Sequence, residues 1–291
     1  MNHFTIRDIE NLTGIKAHTW RIWEQRYQLC LPDRKESNHR FYDAERLRQI
    51  LRISYLYHSG VKISKLAKMN DGELSTLAMQ ENQQGPTTDF YVKELLEAAV
   101  LSDDETFEKV SSHVFDTLNT EDAILKVIYP YLERVGVLWI TEHLVPAQEH
   151  FSSSILRNKI IAAIDSLPPV RNTGKENIVL FTPEKEYHEL PLLFIHYLLK
   201  KNGKRVTYFG CNIKLKELKH FAENKEVTTF HFHLLTNLTN KDAQEYLSYI
   251  ASAFPDKSVV ISGIQAAQVH NKPANARTLN SMKAILDYAR E

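Results

Sequence analysis

The sequence is poor in the features that mark secreted, membrane-spanning or fibrous proteins. Only two cysteines, Cys30 and Cys211, occur in 291 residues, and they lie far apart. Two such thiols give neither a disulfide framework nor a thiolate metal cluster. No apolar run nears the roughly 20 residues needed to span a bilayer. Residues 1–7 lack the basic-then-apolar order of a signal peptide. A cytoplasmic location without a membrane partner is therefore expected. Glycine is scarce, nine in all, and residues 89–166 contain only Gly136. There is no internal repeat and no low-complexity tract.

What is present is ordinary globular material, 43% hydrophobic and 25% charged, in a chain long enough for two or three domains. The formal charge is zero overall but unevenly spread. Through Asn70 there are thirteen basic residues against seven acidic ones, a net of +6, so the remainder carries −6. Such asymmetry points to a polyanion as the partner of the basic region.

Composition divides the chain into a multidomain α and α/β protein. Residues 1–72 read as a basic winged helix-turn-helix. The polar stretch Asn70 to Asp89 loses periodicity, and 73–88 reads as a linker ending in Gln-Gln-Gly-Pro. Residues 89–167 carry apolar residues at helical spacing, with helices expected near 89–101, 103–118, 121–139 and 144–165, a central four-helix bundle. A second linker, 168–176, contains Pro168-Pro169. From 177 to 291 short apolar runs (177–181, 205–209, 228–235 and 258–261) alternate with helical stretches near 188–202, 213–224 and 241–253, and a faint fifth strand lies between Ala274 and Leu279. That alternation implies a doubly wound, Rossmann-like parallel sheet, which binds ligands at the carboxyl ends of its strands.

Near the N-terminus, Thr5 stands as the cap of a short helix, Gly14 suits a left-handed turn, and 16–27 forms a second helix. Helix, glycine turn, helix is the spacing of a helix-turn-helix. A donor-rich loop, 31–42, and a capped helix start at Asp43 follow. The Phe4-Thr5-Ile6 opening, Thr13-Gly14-Ile15, Thr19–Glu24, Leu31-Pro32, Arg40-Phe41-Tyr42 and Gly60–Ile63 together resemble the MerR family. The resemblance spans residues 3–70. It implies a recognition helix in which His18, Arg21 and Arg26 face bases or phosphate, and a wing in which Arg34, His39, Arg40 and Tyr42 hold the phosphate backbone. Trp20, Trp23 and Phe41 are expected in the small core. Such domains act as two-fold dimers on inverted repeats, so double-stranded DNA and a homo-oligomer are the expected partners. No long heptad follows the domain, so dimerisation must come from elsewhere.

After the first strand of the sheet, Glu186-Tyr187-His188 opens a helix. The segment resembles the cobalamin-binding motif D/E-x-H-x-x-G, which implies His188 as the cobalt ligand and Glu186 as the group that orients it. Cobalamin-sensing MerR relatives carry a tryptophan followed after nine residues by Glu-His. Here Trp139, Glu149 and His150 have that spacing, and the resemblance implies that they meet the upper face of the corrin. Thr236-Asn237-Leu238 matches the family's S/T-x-L motif, with Thr236 and Leu238 as cofactor contacts, and Ser262-Gly263 stands where the family has Gly-Gly. The expected cofactor is a cobalamin, adenosylcobalamin or methylcobalamin. Two departures concern glycines that let the nucleotide tail thread between sheet and helix: Pro191 and Ser262 replace them. His231 and His233 face one side of a strand, where a metal pair and polar residues at a strand's end both fit. His143, Glu149 and His150 form a metal cluster only if their helices converge.

Three functions stand side by side. The first is a non-enzymatic regulator whose cofactor controls oligomer state and DNA affinity. The second is the same regulator with an empty sensor kept for dimerisation or another ligand. The third is an enzyme or corrinoid carrier subunit for methyl transfer, which the fused DNA reader and the lack of a catalytic partner domain disfavour.

Overall fold

The structure is a computed structural model. It describes residues 4–34, 40–80, 88–140, 146–170, 176–236 and 242–291. The chain forms two compact units, 1–155 and 156–291.

The first unit opens with α1 (Ile6–Thr13), whose start is fixed by Thr5 and Asp8: each side chain takes the other's backbone N–H. Gly14, at φ +71°, ends it in the left-handed region. α2 (Ala17–Tyr27) has no cap of its own. Instead the Glu10 carboxylate of α1 accepts from the Ala17 N–H at 2.9 Å and from Lys16 Nζ at 2.9 Å, so one helix caps the next. A two-stranded wing follows, β1 (Asp33–Arg34) antiparallel to β2 (Arg40–Phe41). Phe4 and Tyr42 exchange backbone hydrogen bonds at 2.8 and 2.9 Å, tying the first described residue to the wing's base. α3 (Ala44–His58), capped by Asp43, packs on α1, and α4 (Ile63–Leu66) is a single turn. Phe4, Ile9, Trp20, Tyr42, Leu47 and Ile50 make the fully buried core of this head.

The non-periodic stretch from Asn70 begins as a helix, α5 (Asp71–Gln80). Asn70 and Glu73 cap it reciprocally (2.8 and 2.9 Å), and its Asp71 pairs with Arg52 of α3 at 2.8 Å. Capping and ion pairs stabilise it, and hydrophobic spacing does not reveal them. Residues 81–87 lie outside the described set. The four expected helices are then found as α6 (Thr88–Leu101), α7 (Asp104–Thr117), α8 (Thr120–Ala123) continuing through a π-helical turn (Ile124–Ile128) into α9 (Tyr129–Ile140), and α10 (Pro146–Ser166). Phe107 meets Tyr131 and Phe151 edge to face, and Gln148 Nε2 donates to the Val100 carbonyl at 2.7 Å. The boundary between the two units falls inside α10.

In the second unit a five-stranded sheet runs in the order β4-β3-β5-β6-β7, all parallel, with β3 (Ile178–Pro183), β4 (Val206–Ile213), β5 (Thr229–His233), β6 (Ser258–Ser262) and β7 (Ala276–Leu279). β3 and β5 are buried along their whole length, the mark of strands covered on both faces. Helices α11 (Glu189–Lys201), α12 (Leu215–Asn224), α13 (Ala243–Ala253) and α14 (Met282–Arg290) alternate with them, and a 3₁₀ turn, Ile264–Gln268, follows β6. β4 runs to Ile213, beyond the expected Phe209. Bulges opposite Phe181 and Pro183 interrupt its register with β3, and Gly210 and Asn212 are left-handed there. The chain leaves β3 for β4 on one side and returns to β5 on the other, so a topological switch point lies between β3 and β5.

Candidate functional site

Among the described residues, two places correspond to the functional motifs of the sequence. The first is the exposed face of α2. Trp20, Trp23 and Glu24 are buried beneath it, whereas His18, Arg21 and Arg26 stand in solvent. The Arg26 guanidinium rests over the Tyr27 ring at 5.5 Å.

In the wing, Arg34 and Arg40 are backbone partners across the hairpin. His39 lies outside the described residues. Tyr42 is a correction: it is fully buried, and its hydroxyl donates to the buried Glu24 carboxylate. It anchors the wing to α2 and does not face a phosphate. Phe41, expected in the core, is only half-buried. Neighbouring strand residues face opposite ways, so the inward position belongs to Tyr42.

The second place is the switch point between β3 and β5. The loop leaving β3 is pinned before it reaches His188. Thr182 Oγ1 donates to the Glu186 carbonyl at 2.6 Å, Asn212 N donates to the same carbonyl at 3.2 Å, and Lys185 N donates to Asn212 Oδ1 at 2.9 Å. Glu186 itself is wholly buried. Its Oε1 accepts the His188 N–H at 3.1 Å and faces His188 Nδ1 at 2.5 Å. Its Oε2 accepts from Leu235 N (3.0 Å), Thr236 N (2.9 Å) and Thr236 Oγ1 (2.9 Å). Burial alone would raise the Glu186 pKa. The His188 ring and the Thr236 and His188 N–H groups override it and hold the carboxyl at about 2. An ionised carboxylate therefore sits behind a ring that is 54% exposed. With Nδ1 directed at that carboxylate, Nε2 is the nitrogen that would meet a metal.

The structure brings Glu186, His188 and Thr236 together: the Glu186–His188 pairing is the one the motif implies, whereas Thr236, expected as a cofactor contact, holds Glu186. Pro191 occupies the third position of α11, within the first turn, where its missing N–H costs the helix nothing. The turn is further held by Glu189, which takes Arg157 at 2.5 Å and the Tyr208 hydroxyl at 3.0 Å. Gly263 is required on two grounds: its φ is +101°, and a Cβ there would lie 2.3 Å from the Leu234 carbonyl oxygen. Ser262 is turned inwards, and its Oγ meets His231 Nε2 and His233 Nδ1, each at 2.9 Å. Burial drives both imidazoles neutral, to about 3 and about 4. Neither reading of that pair from sequence anticipated this; the two rings share one buried hydroxyl. Glu149 pairs with the exposed His150 at 2.9 Å on α10, and Trp139 lies in α9. Leu238 and His143 lie outside the described residues. No group of three or more His, Cys, Asp or Glu placed to hold a metal is present among the described residues.

Sequence reasoning missed Thr182, Asn212, Leu235 and Gln265. The last donates from Nε2 to the Leu235 carbonyl at 3.1 Å and steadies the loop that binds Glu186.

Comparison with known proteins bears on the first place and on the helical domain. Residues 4–73 match the family described as MerR HTH family regulatory protein, and residues 91–163 match the B12 binding domain. The chain is 24% identical over 273 residues to the HTH-type transcriptional repressor CarH of Myxococcus xanthus, covering 92% of this chain and 90% of that one. With the HTH-type transcriptional repressor CarA of the same organism it shares 25% over 209 residues, covering 71% and 68%. Among solved structures it is similar in fold to the Methanosarcina barkeri monomethylamine corrinoid protein. That likeness has a TM-score of 0.56 at 14% identity, covering 72% of this chain and 98% of that one.

Proposed function

We propose that this chain, a MerR-type DNA-binding transcription regulator that carries a B12-binding domain, takes cobalamin through His188 and uses it to control DNA binding. It is a regulator and not an enzyme, in keeping with its curated relatives, both named as repressors. Their names also support repression as the sign of its action.

One observation carries the assignment of His188 as the cobalt ligand: a buried, ionised Glu186 bound to His188 Nδ1 at 2.5 Å. The donor set fits the group. A cobalamin, when bound, would supply a cobalt ion able to accept an imidazole nitrogen, and His188 would hold it through Nε2. Glu186 fixes the ring's tautomer and raises its basicity, and Thr236 and Leu235 hold Glu186 in place. In the helical domain, Trp139, Glu149 and His150 are proposed as further residues that would contact the cofactor, on the strength of their spacing in the sequence. Thr236 acts through Glu186, and the Gly263 backbone supports the same loop by its approach to Leu234.

At the DNA end, His18, Arg21 and Arg26 face the groove, and Arg34, His39 and Arg40 grip phosphates. Pairing of two chains on an inverted repeat lets two weak heads act as one tight binder. The cofactor controls DNA affinity only if it binds the DNA-competent and free forms unequally.

The test is spectroscopic. The chain is loaded with adenosylcobalamin or methylcobalamin, desalted, and its visible spectrum recorded beside His188→Ala. Retained cofactor with a histidine-ligated spectrum, lost in the variant, supports the reading. Colourless protein in both overturns it.

A further inference from the structure

The exposed face of α2 carries a large aliphatic side chain among polar ones. Ile22 is 46% exposed, although Trp20, Trp23 and Glu24 of the same helix are buried. His18, Arg21, Ile22 and Gln25 are spaced i, i+3, i+4 and i+7, so they form one stripe opposite the buried tryptophans. All four are exposed. The single acid of α2, Glu24, is turned inwards onto Tyr42, so the stripe holds cationic and neutral groups only. The head around it is net positive, and the partner it suits is a polyanion.

The chemistry of the stripe narrows the partner's features. A guanidinium matches the guanine O6 and N7 acceptors, a primary amide matches adenine N6 and N7, and an aliphatic group matches the 5-methyl of thymine. A thymine methyl is the one apolar feature that the major groove offers to such a side chain.

We propose that Ile22 reads a thymine through its 5-methyl group and so sets the base preference at one position of each half-site, with Arg21 and Gln25 beside it. This rests on the DNA-binding reading of the head and names a sequence feature of the operator.

The test removes one methyl group at a time. The full-length chain first selects duplexes from a random library, with and without adenosylcobalamin. Each thymine of the selected half-site is then replaced by uracil, which keeps every hydrogen bond to adenine and deletes only the methyl. Affinities are read by fluorescence anisotropy at fixed salt. One thymine per half-site should weaken wild-type binding about fourfold on replacement, the worth of one methyl-sized apolar group. Changing both half-sites should weaken it about fifteenfold. Ile22→Ala should lose a similar factor on the thymine duplex and become indifferent to uracil at that position, and Ile22→Val should keep part of the sensitivity. A wild type indifferent to uracil everywhere, or an Ile22→Ala variant with the wild-type uracil penalty, overturns the assignment. Failure to enrich any duplex overturns the DNA-binding reading itself, and this assignment with it.

Discussion

The Arg52 guanidinium of α3 meets the Glu97 carboxylate of α6 at 2.8 Å, with both side chains largely withdrawn from water. Residue 52 lies in the segment that matches the MerR family and residue 97 in the one that matches the B12-binding domain. Arg48 (3.6 Å) and Lys93 (3.8 Å) also face Glu97, and Asp71 and Glu94 share the three cations. Burial nevertheless pushes the Glu97 carboxyl up to about 7, against the pull of Lys93, Arg52 and Arg48. Removing charges from water costs more here than the pairing returns.

A raised carboxyl pKa stabilises the folded form below the ordinary carboxylate range, and that contribution is lost as pH rises through about 7. The first urea transition of the full chain should therefore weaken between pH 5 and 8, by on the order of 1–3 kcal/mol. In Glu97→Gln that slope should flatten. An equal slope in the variant would assign the pH dependence to another group. Arg52→Leu alone should cost about 3–5 kcal/mol, most of it recovered in Arg52→Leu/Glu97→Leu.

Glu186 has the opposite sign. Its carboxyl is held at about 2, so its contribution is complete above the ordinary carboxylate range and is lost as pH falls towards 2. Glu186→Gln should lower corrinoid affinity about 10–100-fold, measured by spectral titration, because the His188 ring loses its anionic partner. An unaltered affinity would mean that the carboxylate does not orient the ligand.

Gly263→Ala tests the close approach of the turn after β6 to the segment that leaves β5. The new methyl would fall 2.3 Å from the Leu234 carbonyl oxygen, at a φ of +101° that alanine resists. A loss of about 3 kcal/mol or more is expected in thermal or urea melts, since a backbone atom cannot step aside as a side chain can. A neutral substitution would show that the two segments separate readily.

Tyr42 and Arg40 should part company in salt titrations. Tyr42→Phe removes one hydrogen bond to the buried Glu24 carboxylate and should cost about 1–3 kcal/mol of stability. Its DNA affinity should keep the wild-type salt slope. Arg40→Ala should leave stability nearly unchanged and reduce the slope by about one. The reverse pattern would return Tyr42 to the phosphate contacts.

Local signals made much of this legible. Thr5 and Gly14 bracket α1 as caps do, and Glu186-x-His188 falls where strand gives way to helix. Tyr42 was not legible, because a two-residue strand offers no alternation from which to choose its inward side chain. Thr182, Asn212 and Gln265 were hidden for another reason. Their partners lie up to 30 residues away, and only the bulged end of β4 and the tight exit of β6 bring them together. α5 was missed because Asn70, Glu73 and Asp71 hold it by caps and charges.

Ser262 has one hydroxyl hydrogen to serve two imidazoles, at His231 Nε2 and His233 Nδ1. If it points to one ring, the other ring must supply its own proton to the oxygen. Two arrangements do this, with opposite donor and acceptor roles on the two outer nitrogens; in a third, the hydroxyl donates to the Phe232 carbonyl at 3.5 Å and both rings donate to it. Because neither ring takes up charge near neutrality, passing between these arrangements alters no net charge within the sheet. The tautomers of the two histidines are thus chosen together, because the hydroxyl can donate to at most one of their inner nitrogens.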